Sequence, residues 1–421
     1  MYVYAVKYLL YTPPEPVPPP PSLSGPSRPP AVIVPSSSRQ EPSSSHQQSS
    51  SSRQQASTIV RKRSSSLFNQ PSSSKQYPQR EIEVDEISIP DLAKIEVDSS
   101  FDKETSGMEC DSMEQSCDFS TESLTSSIYQ YRYENGRRYH AYTEDKYILP
   151  NDEAEQDRLD ILHHTYLVMM DDQLTLAPID PNPQRILDVG TGTGIWAIDM
   201  GERYPSAEII GTDLSPIQPS WVPPNVHFQI DDAESEWTFP KNYFDLVHIR
   251  HLSGAIKDWE ALYTEAYRHC KPGGWIDIAE FEMDIFCDDG TLSPDCELKQ
   301  FYTLVSQATA ITGREFNNAA NFLPIIEKVG FVNAHHTMVK MPLGPWAVDK
   351  KQKEIGAYIL LSTETGFEAF GIKLFTQVLG MGVDEAGALI TAAQKQATNK
   401  RVHVYGKHHL YYAQKPLDAQ S

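Results

Sequence analysis

The stretch Arg185-Ile-Leu-Asp-Val-Gly-Thr-Gly-Thr-Gly194 decides the fold of this chain of 421 residues. An apolar run ends at Val189, three glycines follow at alternate positions, and a helical pattern continues over residues 195–204. Glycine tolerates positive φ and lets a ligand approach the backbone more closely than a Cβ would allow. The N-terminus of the helix adds unpaired N–H groups. The stretch therefore predicts a strand, a nucleotide-binding turn and a helix.

The spacing of these glycines leaves two adenosine cofactors open. Gly192, Gly194 and Ala197 fit the dinucleotide pattern G-x-G-x-x-G/A. Asp213 lies about 20 residues further on, where a ribose-binding carboxylate is expected. Asp188 favours S-adenosyl-L-methionine, because a carboxylate there attracts the ammonium of an amino-acid tail and repels a pyrophosphate. NAD remains an alternative, as does a turn without a ligand in which Asp188 is only a hydrogen-bond acceptor.

Composition divides the chain into a tail, residues 1–125, and a folded domain, residues 126–418. Ser, Pro and Gln dominate residues 12–79, and residues 81–122 are acidic and rich in Ser. Such segments bury too little apolar surface to offset their conformational entropy. The tail is therefore expected to be disordered, with a partner-induced helix around residues 90–97.

Charge and cysteine content limit the classes of partner and compartment. The net charge of −21 argues against nucleic acid as a direct ligand, because phosphate binding needs a cationic surface. Residues 1–11 are apolar but too short to span a bilayer, so no membrane association is expected. Five cysteines without a C-x-x-C pair fit reduced thiols in the nucleus or cytoplasm. The acidic stretch 284–289 fits a solvated loop, so no metal site is predicted.

Strand and helix signals alternate over the middle of the chain. The pattern predicts strands at residues 185–189, 208–213, 226–230, 244–249 and 275–281, and helices at residues 195–204 and 259–270. The alternation predicts a doubly wound α/β fold, a Rossmann-like parallel sheet with helices on both faces. Lys271-Pro-Gly-Gly274 is predicted to be a tight turn between the second helix and its strand. Ligands of such sheets bind at the carboxyl ends of the strands. Four segments lie at such ends: Asp188, Asp213, Asp232 and residues 250–253.

Each acid that follows a strand has a binding role and a simpler alternative. Asp213 is placed to accept both ribose hydroxyls, with Leu214 beside it in the same site. The alternative for Asp213 is a cap for the turn before Pro216. Asp232 and Ala233 are placed to read the exocyclic amine and a ring nitrogen of adenine. The alternative for these two residues is a solvated acidic loop.

Two regions outside the sheet are candidate covers of the site. A Tyr-rich segment at residues 128–140, with Tyr139 as a candidate cofactor contact, and an amphipathic helix at residues 155–170 form an N-terminal lid. For the tyrosines, the alternative is that they only cover a sheet edge. A helical insertion at about residues 348–400 precedes the last strand, predicted near residues 409–414. This insertion is long for a connection and is a candidate cap over the substrate.

Several motifs, in this order and spacing, resemble those of class I S-adenosylmethionine-dependent methyltransferases: Asp188-Val-Gly-Thr-Gly-Thr-Gly194, Asp213, Asp232-Ala233-Glu234 and Lys271-Pro-Gly-Gly274. A narrower set resembles the LaeA-like fungal methyltransferases, which regulate secondary metabolism and development. That set consists of Tyr133-Glu-Asn-Gly-Arg-Arg-Tyr-His140, His248-Ile-Arg-His-Leu-Ser-Gly254 and Asp258-Trp259. The resemblance covers roughly residues 129–416 and leaves out the tail.

This resemblance implies a seven-stranded sheet with six parallel strands and one antiparallel strand. It also implies a protein of the nucleus or cytoplasm, with velvet-type regulatory proteins as partners. Roles for individual residues follow from the matching motifs. The methionine part of the cofactor would be held by Asp188, Gly190, Gly192 and Gly194, the ribose by Asp213, and the adenine by Asp232 and Ala233.

The methyl acceptor is not identified by these patterns and is either a small molecule or a protein. Methyl transfer needs a general base only when the acceptor carries a proton. Arg250 and His251 follow the fourth strand and are placed to reach the acceptor. His251 is the candidate base, and a packed or helix-capping histidine is the alternative. Two other functions stay open: a methyltransferase-fold regulator that binds partners with little or no catalysis, and an NAD-dependent oxidoreductase.

Overall fold

The computed structural model describes residues 94–98, 131–140 and 148–419. Most of the predicted disordered tail, residues 1–93 and 99–125, lies outside the described residues. The helices and strands are, in chain order, β1 (Arg132–Glu134), β2 (Arg137–Tyr139), α1 (Glu153–Met169), β3 (Arg185–Val189), α2 (Ile195–Arg203), β4 (Glu208–Asp213), β5 (Val226–Ile230), β6 (Phe244–Arg250), α3 (Trp259–His269), β7 (Cys270–Phe281), α4 (Glu297–Thr312), α5 (Phe322–Val329), β8 (Val332–Pro342), α6 (Lys350–Lys373), α7 (Val383–Ala397) and β9 (Tyr405–Gln414).

Strands β3 to β9 form one seven-stranded sheet in the order β5-β4-β3-β6-β7-β9-β8. Strand β9 runs antiparallel to both of its neighbours, and the other pairs are parallel. This arrangement confirms the expected six parallel strands and one antiparallel strand. The chain winds from β3 outward to β5 and then returns to β6, so the strand order reverses between β3 and β6. Ligands of open α/β sheets bind outside the carboxyl ends of the strands at such a point.

The central strands have the bounds that the sequence predicts. Strands β3, β4 and β5 match the prediction, and β6 extends one residue further, to Arg250. Ile186, Leu187 and Val189 of β3 are buried, and β3 has a parallel partner on each side. A strand that is covered on both faces is apolar almost without interruption. This continuity is why the sequence locates these strands well.

Helices cover both faces of the sheet. On one face, Trp196 and Met200 of α2 pack with Ile209 of β4. On the other face, Tyr263 of α3 and Phe322 of α5 pack with apolar residues of β6 and β7. All of these side chains are buried. The doubly wound α/β fold is therefore confirmed.

Strand β7 begins at Cys270, five residues earlier than predicted, and Lys271-Pro-Gly-Gly274 belongs to it instead of forming a separate turn. Gly273 has a φ of +82°, which agrees with the predicted need for glycine. The pairing register of β6 with β7 shifts between Phe244 and Leu246. The stretch is thus a bulge, which bends one strand and leaves pairing intact on both sides. The local Pro-Gly-Gly pattern predicts a turn and does not indicate that the chain pairs with β6 on both sides of it.

The predicted helical insertion before β9 is present. It consists of α6, a π-helical turn (Leu374–Val378) and α7. The insertion has a core of its own, in which Phe301 of α4 packs against Phe367 and Phe375 with ring centroids 4.8 Å and 5.4 Å apart. Helix α6 also packs against α1. Strand β9 begins at Tyr405, four residues before its predicted start, because its first residues pair with the end of β8.

Five residues of the tail, 94–98, are extended and pair with the chain just before α6. Val97 forms an antiparallel bridge with Ala347. Ile95 is buried in a small apolar cluster with Trp346. The predicted disorder and the predicted helix are therefore wrong for this stretch. Besides this apolar contact, the N–H of Asp98 donates to the carbonyl of Trp346, and the N–H of Val348 donates to that of Glu96. The stretch is therefore held by residues far away in sequence.

Candidate functional site

The glycine-rich turn after β3 lies across the carboxyl ends of β3 and β4. All three of its glycines have positive φ: +70° at Gly190, +58° at Gly192 and +80° at Gly194. The N–H of Gly192 donates to Asp213 Oδ2 at 2.8 Å. Thr191 Oγ1 donates to Asp188 Oδ2 at 2.5 Å. Acids at the ends of the two strands therefore fix the conformation of the turn.

The three glycines have different surroundings. A Cβ at Gly190 would lie 2.3 Å from Leu252 Cδ2, and a Cβ at Gly194 would lie 2.3 Å from Phe228 Cζ. A Cβ at Gly192 would meet no atom of the described part of the chain closer than 3.5 Å. Two glycines are therefore required by close packing, whereas Gly192 faces the space in front of the turn.

A cleft that is partly open to solvent lies in front of this turn. Helix α1 forms one side of it, and the carboxyl ends of β3, β4, β5 and β6 form the other. Most of the predicted site residues line this cleft: Asp188, Gly190, Gly192, Asp213, Leu214, Asp232, Ala233, Arg250 and His251. The convergence expected from the strand ends is therefore present.

Two predicted cofactor residues, Gly194 and Tyr139, do not line the cleft. Gly194 is the N-cap residue of α2. Tyr139 is buried in the β1–β2 hairpin, where Lys373 Nζ lies 4.5 Å from its ring centroid, and burial raises the pKa of its hydroxyl to about 12. Arg137 ties this hairpin to the start of α1 through an ion pair with Asp152 at 2.6 Å. The expectation that Tyr139 forms part of a lid is therefore corrected, because the ring packs inward.

Asp188 is buried and Asp213 is half-buried, and both carboxyls lie at the edge of the cleft. Burial raises the pKa of Asp188, and the nearby charges of His248 and Arg250 act in the opposite direction. Burial also raises the pKa of Asp213 to about 6, although the N–H groups that donate to its carboxylate act to lower the pKa. One of these is the N–H of Ser215, which donates to Oδ1 at 2.9 Å. Asp213 therefore also caps the following turn, as its alternative role predicts.

Asp232 follows β5 and is buried. Its carboxylate accepts the N–H of Glu234 at 3.0 Å and the hydroxyl of Ser235 at 3.2 Å. The alternative of a solvated acidic loop is therefore wrong for Asp232. With Asp188 and Asp213, it makes one wall of the cleft acidic. Such a wall attracts a cationic group and repels a pyrophosphate.

Arg250 is held at the cleft by a histidine of α1. Its Nη2 donates to His163 Nδ1 at 3.1 Å, so His163 must donate from Nε2 to Asp199 Oδ2, 2.8 Å away. Burial lowers the pKa of His163 to about 4, which keeps the ring neutral. The sequence analysis predicts an amphipathic helix at residues 155–170 but does not place His163 in the site. His163 lies next to Leu162 and Leu159 in the apolar stripe of α1, and all three residues line the cleft. Its place in this stripe is the feature of the sequence that indicates its position in the cleft wall.

His251 lies at the inner end of the cleft and has a φ of +58°. Its Nε2 is 3.0 Å from the hydroxyl oxygen of Tyr166, and that oxygen is 3.0 Å from Nδ1 of His408. Burial and the neighbouring Arg250 hold the pKa of His251 well below its usual value. The ring is therefore neutral at physiological pH, as a general base must be.

Glu280, at the end of β7, is a site residue that the sequence analysis missed. Its carboxylate accepts the N–H of Leu252 at 2.6 Å and that of Ser253 at 3.1 Å. These bonds fix the turn that carries Arg250 and His251. Burial raises the pKa of this carboxyl from 4.5 to about 7. Its position near the carboxyl end of a predicted parallel strand is the sequence signal that points to it.

The buried carboxyl of Glu280 predicts a pH dependence of stability. Because its pKa is higher in the folded state than in the unfolded state, its stabilising contribution is complete below pH 4.5 and is lost as the pH rises to about 7. The loss amounts to about 3 kcal/mol. We expect Glu280→Gln to flatten the change in free energy of unfolding between pH 5 and pH 8, measured by urea denaturation. Glu385→Gln, at an exposed position of α7, is the control. Parallel profiles for wild type and Glu280→Gln would contradict the assignment.

Metal sites and membrane-spanning helices are absent from the described ranges. No group of three or more His, Cys, Asp or Glu side chains there is arranged to hold a metal ion. None of the helices in these ranges is both long and apolar enough to cross a membrane.

Comparisons with known proteins agree with this geometry. A family model described as a methyltransferase domain matches residues 161–336. The methyltransferase pytC of Aspergillus terreus is 41% identical over 300 residues, which cover 71% of this chain and 92% of pytC. The secondary metabolism regulator LAE1 of Cochliobolus heterostrophus is 37% identical, covering 67% of this chain and 94% of LAE1. The regulator laeA of Aspergillus fumigatus is 37% identical, covering 71% of this chain and 80% of laeA.

The matches to these relatives span most of the domain that contains the cleft. They include the glycine-rich turn, the acids at the strand ends and the turn after β6. The chain therefore belongs to the LaeA-like family of class I methyltransferases.

Proposed function

We propose that this chain is an S-adenosylmethionine-dependent methyltransferase that regulates secondary metabolism. The observation that carries the proposal is the pairing of an open glycine, Gly192, with an acidic wall made by Asp188, Asp213 and Asp232. The open glycine leaves room for a ligand against the backbone. The acidic wall favours a ligand with a cationic amino-acid end over a dinucleotide.

The residues of the cleft fit the parts of this cofactor. Asp188 with the turn at Gly190 and Gly192 would hold the methionine part, and Asp213 with Leu214 would hold the ribose. Asp232 and Ala233 would hold the adenine, and all of these residues line the same cleft. S-adenosylmethionine, when bound, supplies a methyl group on a positively charged sulfur. The protein's own task is to orient the acceptor and to exclude water.

The regulatory part of the proposal is supported by the relatives LAE1 and laeA, which are named as secondary metabolism regulators. We expect the protein to work in the nucleus or the cytoplasm together with velvet-type regulatory proteins. The family resemblance is the support for both expectations. Co-purification with a velvet-type protein from the native organism tests the partnership.

The names of the relatives also favour a second candidate function. One relative is named as a methyltransferase and the others as regulators. The second candidate is a regulator that binds the cofactor and its partners with little or no methyl transfer. Mass spectrometry of an extract incubated with cofactor carrying a labelled methyl group separates the two. Label on a small molecule or a protein supports transfer, whereas cofactor binding without any labelled product supports the second candidate.

Cofactor choice is tested by calorimetric titration of the whole chain. We expect heat of binding with S-adenosylmethionine and with S-adenosylhomocysteine, because both carry the ammonium and the adenosine that the acidic wall accommodates. We expect no heat with NADH, whose pyrophosphate would face the same carboxylates. Binding of NADH without binding of S-adenosylhomocysteine would overturn the proposal and restore the oxidoreductase alternative.

A further inference from the structure

A second cavity adjoins the cofactor cleft, and the two share Leu162 and His251 in their walls. It lies between α1, the end of β7 and the helical insertion. Most of its lining is apolar, and five of the lining residues carry aromatic rings: Phe281, Phe301, Tyr302, Phe367 and Phe370. Helix α6 supplies much of the remaining wall. The insertion predicted as a substrate cap therefore forms a wall of this cavity.

Each charged side chain in the wall of the second cavity has an ionisable partner: Arg158 and Asp284 are paired with an opposite charge, and Glu282 with a histidine. Arg158 is held by Glu155 at 2.6 Å. Glu282 pairs with a histidine of β9, and Asp284 pairs with Lys299 at 2.5 Å. A ligand with a net charge would find no unpaired partner on these groups, and its burial would be costly. The lining therefore favours a neutral, mainly apolar ligand.

The polar end of the cavity is a chain of three side chains from three distant parts of the sequence. The hydroxyl of Tyr166 lies between Nε2 of His251 and Nδ1 of His408, 3.0 Å from each. Both histidines line the second cavity. Within the described residues, no hydrogen bond is formed by Nδ1 of His251 or Nε2 of His408. These two ring nitrogens are therefore available to a ligand.

The donors and acceptors of Tyr166 and the two histidines determine where the protons of this hydrogen-bonded trio lie. Tyr166 has one O–H, so it donates to one histidine and accepts from the N–H of the other. The histidine that donates to Tyr166 therefore has a lone pair on its second nitrogen. The histidine that accepts from Tyr166 has an N–H on its second nitrogen. Burial lowers the pKa of His408 to about 3 and that of His251 well below its usual value, so both rings are neutral. The chain thus combines one proton acceptor and one donor.

We propose that the second cavity binds the methyl acceptor, a neutral small molecule with an aromatic or similarly apolar body and one hydroxyl group, and that His251, Tyr166 and His408 take up its proton. This inference rests on the proposed methyl transfer. The acceptor oxygen forms a bond to the methyl carbon as the bond between that carbon and the sulfonium sulfur breaks. The sulfur keeps the electron pair and becomes a neutral thioether. The hydroxyl proton passes to the histidine nitrogen that carries the lone pair.

The size and charge of the cavity are tested with two fluorescent probes and a pair of glycine variants. The neutral probe is N-phenyl-1-naphthylamine, and the anionic probe is 8-anilinonaphthalene-1-sulfonate, which adds a sulfonate. Gly366 of α6 lines the cavity, and a Cβ there would lie 3.5 Å from its nearest contact, so Gly366→Leu fills the cavity without a clash at Cβ. Gly387→Leu, at an open position of α7, is the matched control.

We expect wild type and Gly387→Leu to bind the neutral probe, and Gly366→Leu to bind it at least about tenfold more weakly, a difference of about 1.4 kcal/mol. The anionic probe should bind wild type more weakly than the neutral one. Calorimetric titration with S-adenosylhomocysteine should give the same affinity for all three proteins, which separates this test from the test of cofactor binding. Equal binding of the neutral probe by wild type and Gly366→Leu, or no binding by wild type, would overturn the proposal.

The proton acceptor is tested with Tyr166→Phe, which keeps the ring and removes the hydroxyl between the histidines. The readout is the rate of methyl labelling in the small-molecule fraction of a native extract. We expect this rate to fall about 100-fold, while affinities for S-adenosylhomocysteine and for N-phenyl-1-naphthylamine stay at the wild-type level. A purely structural role for Tyr166 would change these affinities too. An unchanged rate, or wild-type label found only on proteins or on this chain, would overturn the proposal.

Discussion

Replacing Gly192 by arginine is expected to weaken binding of S-adenosylmethionine at least about 100-fold, a loss of about 2.7 kcal/mol, while the domain stays folded. Gly192 is the glycine of the turn whose Cβ position faces the cleft, with no described atom closer than 3.5 Å. An arginine side chain at this position would occupy the space of the cofactor. Its guanidinium would also neutralise Asp188 and Asp213, which are the acids that attract a cationic ligand.

The backbone of Gly192 requires a matched control. Its φ of +58° costs any other residue about 1–2 kcal/mol. Gly380 has a φ of +71° and an open Cβ position outside the cleft, so Gly380→Arg carries a similar backbone cost. Calorimetric titration should show weakened binding for Gly192→Arg and wild-type binding for Gly380→Arg. Wild-type affinity in Gly192→Arg would contradict the position assigned to the cofactor.

Gly194→Ala is expected to affect folding instead of cofactor binding. The free energy of unfolding should fall by a large amount even without a ligand. A Cβ at this position would lie 2.3 Å from Cζ and 2.8 Å from Cε1 of Phe228, and the φ is +80°. Overpacking and the left-handed backbone together predict a loss of roughly 2–5 kcal/mol in the free energy of unfolding. Urea denaturation without cofactor measures it.

A double-mutant cycle separates the clash at Gly194 from the backbone cost. Phe228→Ala removes the ring that the new Cβ would strike. The double variant should therefore lose less stability than the sum of the two single losses, with a coupling of about 1–3 kcal/mol. Additive losses would show that the ring yields freely and that the backbone alone requires glycine. Such a result would contradict the packing role assigned to Gly194.

Much of the sheet and of the cofactor cleft is predictable from the sequence. Buried parallel strands are continuous apolar runs, so their bounds are encoded locally, as in β3. The acids Asp188, Asp213 and Asp232 come directly after or at the end of such runs. Because parallel strands end at one edge of the sheet, the sequence also predicts that these acids converge.

Other features depend on partners that are distant in sequence. Tyr139 belongs to a Tyr-rich segment, but its burial under Lys373 depends on a helix that comes more than two hundred residues later. Ile95 lies in a stretch that the composition predicts to be disordered, and it is ordered by contact with Trp346. Cys270 begins β7 because a bulge maintains pairing with β6. Local composition cannot report contacts of this kind.

The sequence by itself determines the strand-turn-helix unit around the glycine-rich turn, the parallel sheet and the acids at its edge, since each follows from a local pattern. Only the tertiary structure decides which glycine faces the ligand. Side chains from other strands and turns pack closely against Gly190 and Gly194, and they leave Gly192 open. It also decides that His251, Tyr166 and His408 form one hydrogen-bonded chain. These three residues come from three separate elements, and their meeting results from long-range packing.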